Sequence, residues 1–246
     1  MIEIVCKNCG TKFKRHKSRR AKYCSSKCSE DHKRRRIIHD FKEETKESCY
    51  WAGFIFGDGC LNKNKLQICL SNLDGGYNLQ HLQKFSNYVF GTDNVNKYDS
   101  TIHIQVNSNE IANNLRKYGI TENKTYNSEL ILPRRHKLDF IRGFFDADGW
   151  ISIGNQWNEN YQKYYKRYCL GVCSYLRNNL KKISQELPHP GRLNKKKSQE
   201  LYELRFGSLS QIIDIRDSIQ GNIQLESKWH KLKRLEIPTV KTDGKN

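Results

Sequence analysis

The feature that most constrains this chain is an internal repeat. Trp51 to Gly59 reads WAGFIFGDG, and Ile141 to Gly149, 90 residues later, reads IRGFFDADG. Each copy is an apolar, helix-like run with small residues at i and i+4: Gly53 and Gly57 in the first, Gly143 and Ala147 in the second. A small-residue stripe on one helical face lets two helices approach closely, so the copies are expected to pack on each other. Gly59 and Gly149 are expected to end those helices as C-terminal glycines. The acids one residue earlier, Asp58 and Asp148, then meet at the base of the interface. Two carboxylates at neighbouring helix C-termini repel each other unless a divalent cation lies between them.

The segments downstream of the two copies are also alike: hairpin, helix, hairpin, helix. In the first half Leu61–Asn62 with Leu66–Ser71 predict a hairpin and Asn78–Phe90 a helix. Val95–Tyr98 with Ile102–Val106 predict a second hairpin, and Glu110–Tyr118 another helix. The second-half counterparts are Ile151–Ile153 with Tyr168–Cys173, Tyr175–Leu187, Arg192–Leu193 with Leu201–Phe206, and Leu209–Ile219. Alternation turns Leu66, Ile68 and Leu70, and likewise Tyr202, Leu204 and Phe206, toward helices. The opposite faces carry Lys65, Gln67, His103, Gln105, Glu203 and Arg205, side chains suited to base edges and phosphates. Lys195, Lys196 and Lys197 fall at a hairpin tip and suit phosphate contact. Gln156–Arg167, with Trp157, Tyr161, Tyr164 and Tyr165, is longer than the first-half turn at Lys63–Lys65, which predicts an extended hairpin or a loop reaching DNA.

Charge indicates what such faces meet. Forty-four Lys and Arg against 26 Asp and Glu leave +18, more than solubility needs and a source of self-repulsion that a polyanion offsets. Hard oxygen ligands beside a phosphodiester favour Mg2+. Residues 1–40 hold 13 Lys and Arg against 4 acids, and the other 206 hold 31 against 22, so the N-terminal part is a concentrated basic module. No apolar run approaches the roughly 18 residues of a membrane span, and MIEIVCKNCG has no secretory core. A reducing, cytoplasmic setting is therefore expected, where the nine cysteines favour metal ligation or burial over disulfides.

Cys6, Cys9, Cys24 and Cys28 form C-x2-C-x14-C-x3-C, a spacing that points four thiolates at one structural Zn2+. Gly10 sits where a tight turn needs it, and Ser25–Ser26 can cap a helix over Lys27–Arg36. A segment this short folds on the ion's binding energy. Its cations, Arg19, Arg20, Arg34 and Arg35 among them, suit phosphate contact. Residues 37–47 read as a linker or short helix. The remaining cysteines do not repeat the spacing; Cys169 and Cys173 share one strand face.

The paired nonapeptides resemble the motif of the LAGLIDADG homing endonucleases, present twice as in single-chain members, and the resemblance covers about residues 48–235. It implies an α+β fold: two pseudo-symmetric αββαββα halves forming a DNA-binding saddle, with sheets along the major groove. A small zinc knuckle precedes them here, as in some phage and mobile-element endonucleases. The expected units are 1–40, 41–137 and 138–246. The acid at the eighth motif position binds metal in the family, which implies Asp58 and Asp148. Phe56 departs from the sixth position, held by Asp146 in the second copy, and Arg142 from a usually small second position; packing is in question there, not activity. The family places basic residues near its active sites, and Lys124 in YGITENKT and Lys228 in GNIQLESKW are the candidates; plain DNA-backbone contact is the alternative. The implied protein is a monomeric, Mg2+-dependent, double-strand DNA endonuclease for a long pseudo-symmetric site, with no obligate protein partner. An RNA-binding intron maturase and a catalytically silent DNA-binding regulator are the alternatives. Met1 and the tail TDGKN match neither intein junction, so a free-standing or intron-encoded protein is expected.

Overall fold

A computed structural model describes residues 1–18, 21–34, 37–196, 200–221 and 223–232. β1 (Ile2–Val5) and β2 (Lys12–Arg15) pair antiparallel, and α1 (Ser26–Arg34) follows. Gly10 makes the turn between thiols at φ 74°, its amide donating to the Cys6 carbonyl at 3.0 Å. The Ser25 hydroxyl caps α1 by accepting from the Cys28 amide at 3.1 Å.

The first half runs α2 (Lys46–Asp58), β3 (Gly59–Asn62), β4 (Lys65–Ser71), α3 (Tyr77–Phe90), β5 (Asn96–Lys97), β6 (Thr101–Asn107), α4 (Asn109–Arg116) and a short α5 (Lys124–Asn127). The second repeats it: α6 (Lys137–Asp148), β7 (Gly149–Asn158), β8 (Lys163–Ser174), α7 (Arg177–Glu186), β9 (Arg192–Lys195), β10 (Tyr202–Phe206), α8 (Leu209–Ser218), then α9 (Glu226–Trp229). Strand order is β3-β4-β6-β5 in one antiparallel sheet and β7-β8-β10-β9 in the other, so the αββαββα pattern occurs twice.

α2 begins at a capping box: the Thr45 hydroxyl accepts from the Ser48 amide at 3.0 Å and the Ser48 hydroxyl from the Thr45 amide at 2.8 Å. From Ser48 to Phe56 it is buried all round, as a central helix must be. It lies against α6 with the glycines at the crossing. A Cβ on Gly53 would strike the Phe140 carbonyl, and one on Gly143 the Tyr50 carbonyl. The small-residue stripe thus sets the closest approach of the two halves. Leu66, Ile68, Leu204 and Phe206 are buried beneath the helices as the alternation predicts, with Leu70 and Tyr202 at the margin.

Gly59 and Gly149 end α2 and α6 as expected, in an extended conformation (φ −78° and −84°). Each chain passes straight from helix to strand, and glycine is needed for space: a Cβ would meet the backbone of Ile55 or Phe145. The expected linker or short helix at 37–47 needs correction: residues 37–45 pack against the first half, and 46 and 47 begin α2. The Ile38 amide donates to the Val89 carbonyl at 2.8 Å, His39 stacks on Tyr88 at 4.7 Å, and Phe41 is buried. No described helix is long and apolar enough to cross a membrane.

Candidate active site and nucleic-acid interface

α2 and α6 each end on an acid, and their crossing brings those ends together. A Cβ on Gly57 would press on Ala147 and lie 3.2 Å from Asp148 Oδ2. Asp58 is half-buried and Asp148 stays open to solvent, so a ligand can reach both, although protein atoms crowd them on the other sides. Desolvation raises both carboxyls. Asp148 is pushed up to about 6, by desolvation first and then by the charge of Asp58.

The two lysines chosen from sequence arrive at this site in equivalent positions. Lys124 Nζ donates to the Phe56 carbonyl at 2.5 Å and to that of Gly57. Lys228 Nζ donates to the carbonyls of Ala147 at 2.7 Å and Phe145 at 3.3 Å. Each ammonium thus sits at carbonyls of the last turn of one helix and faces the acid pair. Desolvation lowers both lysines while the charges of Asp58 and Asp148 oppose it.

Sequence reasoning misses a second, buried network. Asp146 is fully buried, and its carboxylate accepts from Tyr50 Oη at 2.5 Å, the Leu225 amide at 2.7 Å and Trp229 Nε1. Because Tyr50 gives its proton to Asp146, the 3.0 Å contact to His81 Nε2 makes that nitrogen the donor. Burial pushes His81 down to about 3, which keeps it neutral. Arg142, buried, donates from Nε to the Ile223 carbonyl at 2.8 Å and from Nη1 to that of Ile219. Asp146 and Arg142 therefore tie α6 to the segment that carries Lys228. In the first half Phe56 replaces the acid and packs on Phe140 and Phe144.

The open faces of the two sheets carry the predicted polar rows. Gln67 lies opposite Gln105 and Cys60, Lys65 opposite Asn107, and Cys69 opposite His103, which stacks on Tyr98 at 5.2 Å. On the second sheet Arg205 lies over the Trp150 ring at 5.8 Å. Glu203 differs from expectation. It is only 4% exposed, its carboxylate held by Arg205 at 2.5 Å and Lys196 at 3.3 Å. It orients two cations and is no free acceptor for a base. Lys195 is paired with Glu200 at 2.6 Å. Arg34 closes α1, while Arg19, Arg20, Arg35 and Lys197 lie outside the described residues.

The four N-terminal thiols converge, all Sγ atoms lying within 4.8 Å of one another. Cys9 is 3.6 Å from Cys24 and Cys24 is 3.4 Å from Cys28, close to the roughly 3.8 Å between sulfurs on a tetrahedral zinc with bonds of about 2.3 Å. Four thiols this close cannot all ionise without a cation. Hydrogen bonding with Cys28 and Cys9 pushes Cys24 up to about 12. Burial raises Cys6, but backbone donors outweigh it and bring that thiol to about 6; the Cys24 amide lies 3.4 Å from Cys6 Sγ. The donor set fits zinc.

No protein-family model matches the chain. A probable translation initiation factor IF-2 from Methanocaldococcus jannaschii is 28% identical over 118 residues, 45% of this chain and 10% of that protein. The chain therefore spans about a tenth of that relative's length. The solved structures it resembles include meganuclease I-SmaMI bound to uncleaveable DNA, with a TM-score of 0.54 at 12% identity over 72% of this chain and 85% of that one. LAGLIDADG homing endonuclease I-GzeII in complex with its DNA target gives 0.54 at 14% identity, over 77% and 88%. I-SmaMI bound to uncleaved DNA with calcium ions gives 0.53 at 12% identity, over 75% and 87%. At such identities the likeness is one of fold.

Proposed function

We propose that this chain, which has the fold of the LAGLIDADG homing endonucleases, is a metal-dependent endonuclease that cuts both strands of a long, pseudo-symmetric DNA site. The observation that carries this reading is the convergence of Asp58 and Asp148 at the helix ends where the two halves meet. Their hard oxygen donors fit Mg2+, and a cation would relieve the desolvation that raises both carboxyls and the charge of Asp58 that raises Asp148 further. When bound, Mg2+ would supply Lewis acidity at phosphoryl oxygens and lower the pKa of a water. Lys124 and Lys228 bring positive charge to where phosphate charge develops. Lys65, Gln67, His103, Gln105 and Arg205 present polar groups for base edges and phosphates, and Lys195 and Lys196 for the backbone.

The four-thiolate module, with structural Zn2+, adds phosphate contacts, and affinity should fall steeply with salt. The protein acts as a monomer, with no obligate protein partner, in the cytoplasm of a bacterial or phage-infected cell. The acids at both motif positions favour this reading over a silent DNA-binding regulator. Incubation of zinc-loaded protein with a randomised duplex library and Mg2+, then sequencing of cut ends, tests it. Accumulation of one long site class is expected. Binding to intron RNA with no cut DNA would transfer the reading to a splicing maturase.

A further inference from the structure

The two hairpins that begin at the paired acids differ in reach. β3 leaves Asp58 and runs 4 residues, whereas β7 leaves Asp148 and runs 10. All of β4, from Lys65 to Ser71, pairs with β6, so the first hairpin ends level with its sheet. β8 pairs with β10 only over Leu170–Ser174. Its outer part, Lys163 to Cys169, has β7 alone for a neighbour and stands out as a two-stranded ribbon.

A ribbon of two strands is marginal in water without extra support. Here that support is a cross-strand pair of Trp157 and Tyr164, ring centroids 5.1 Å apart and edge to face. It accounts for two large aromatics left 46% and 69% exposed. They occupy one side of the ribbon. The other side carries Gln156, Lys163, Tyr165 and Arg167, with Arg167 Nη1 donating to Gln156 Oε1 at 2.9 Å. That side continues the open face of the sheet: one trough of 430 Å3 is lined by Trp150, Ser152, Gln156, Arg167, Cys169 and Arg205.

We infer that this ribbon grips the DNA flank beside the second half only, which makes the target asymmetric in length. The inference rests on the DNA-cleavage reading and adds to it which flank is held, and by which side chains. The longer strand adds about 20 Å of reach at roughly 3.4 Å per residue, or about six base pairs at about 3.4 Å each. Lys163 and Arg167 meet phosphates, while Gln156 and Tyr165 offer an amide and a ring to the groove. Nothing described in the first half reaches as far, since its turn closes at Lys63 and Asn64.

Hydroxyl-radical footprinting of zinc-loaded protein tests this, on the duplex site recovered by cleavage selection and with Ca2+ replacing Mg2+ to hold the complex. Wild type should protect about six more base pairs on one side of the cut centre than on the other. The combined variant Lys163→Ala, Tyr165→Ala, Arg167→Ala should lose that outer protection, and its log–log salt slope should fall by about 2. Equal protection on both sides of a site that is cut, or one-sided protection that the variant keeps, overturns the inference alone. Failure to protect or cut any duplex overturns the cleavage reading and this inference with it.

Discussion

The crossing of α2 and α6 depends on glycine, and Gly143→Ala is the sharpest perturbation of it. The added methyl would overlap the Tyr50 carbonyl and lie 2.7 Å from the Phe54 amide nitrogen, whereas ordinary contact begins near 3.4 Å. Both neighbours are helix backbone, so no side-chain rotation relieves the clash and the helices must part. Overpacking of this kind costs typically about 1–3 kcal/mol, and a backbone collision belongs at the upper end. At about 2–4 °C per kcal/mol for a chain of this size, the Tm should fall by roughly 6–12 °C. Parting the helices also separates Asp58 from Asp148, so cleavage should drop at least about tenfold at temperatures where the variant is still folded. Gly154→Ala is the control for stability, because a Cβ there meets nothing within 4 Å. Thermal melts monitored by circular dichroism, with zinc retained, give the comparison. A Gly143→Ala protein that melts with wild type, or no lower than the control, would refute the close-packed crossing.

The same geometry fixes three further outcomes. His81 is held near 3 against an ordinary 6.5, so its contribution to stability is complete above about 6.5 and is lost as pH falls toward 3, up to about 5 kcal/mol. The acid side of a Tm–pH profile should be shallower in His81→Gln, and an unchanged slope contradicts the assignment. Trp229→Phe removes one of three donors to the buried Asp146 carboxylate and should cost about 1–3 kcal/mol; a urea titration showing a loss below about 0.5 kcal/mol would count against that network. Cys24→Ser should abolish stoichiometric zinc, read by atomic absorption, and weaken DNA binding. One retained equivalent of zinc argues against a four-thiolate site, and unchanged DNA affinity argues against the module's proposed role.

The repeat was legible because its chemistry is local. Small residues and a terminal acid within nine positions are enough to imply a tight helix pair with acids at one end. Lys124 and Lys228 were legible through the pseudo-symmetry, as similar phrases come after the last helix of each half. The Asp146 network was not, because its partners come from afar: Tyr50 lies 96 residues away and Trp229 lies 83 away. The bare presence of an acid at the sixth motif position was the only signal. Glu203 shows the limit of alternation, which gives the face of a strand but not whether neighbouring cations close over it. Position gives the helix ends at Gly59 and Gly149 but not their extended conformation, nor the demand for space beside Ile55 and Phe145. The length of the β7–β8 hairpin could be read from Gln156–Arg167. Its projection could not, since that depends on β10 stopping at Phe206 opposite Leu170.

The most direct test of the catalytic centre is cleavage of the selected duplex by wild type, Asp58→Asn and Asp148→Asn proteins in Mg2+, with both strands monitored separately. Wild type should break both strands, and each variant should fail to make the double-strand break while still binding the site. Full double-strand cleavage by either variant would contradict the claim that the two acids meeting at the helix ends form the catalytic centre.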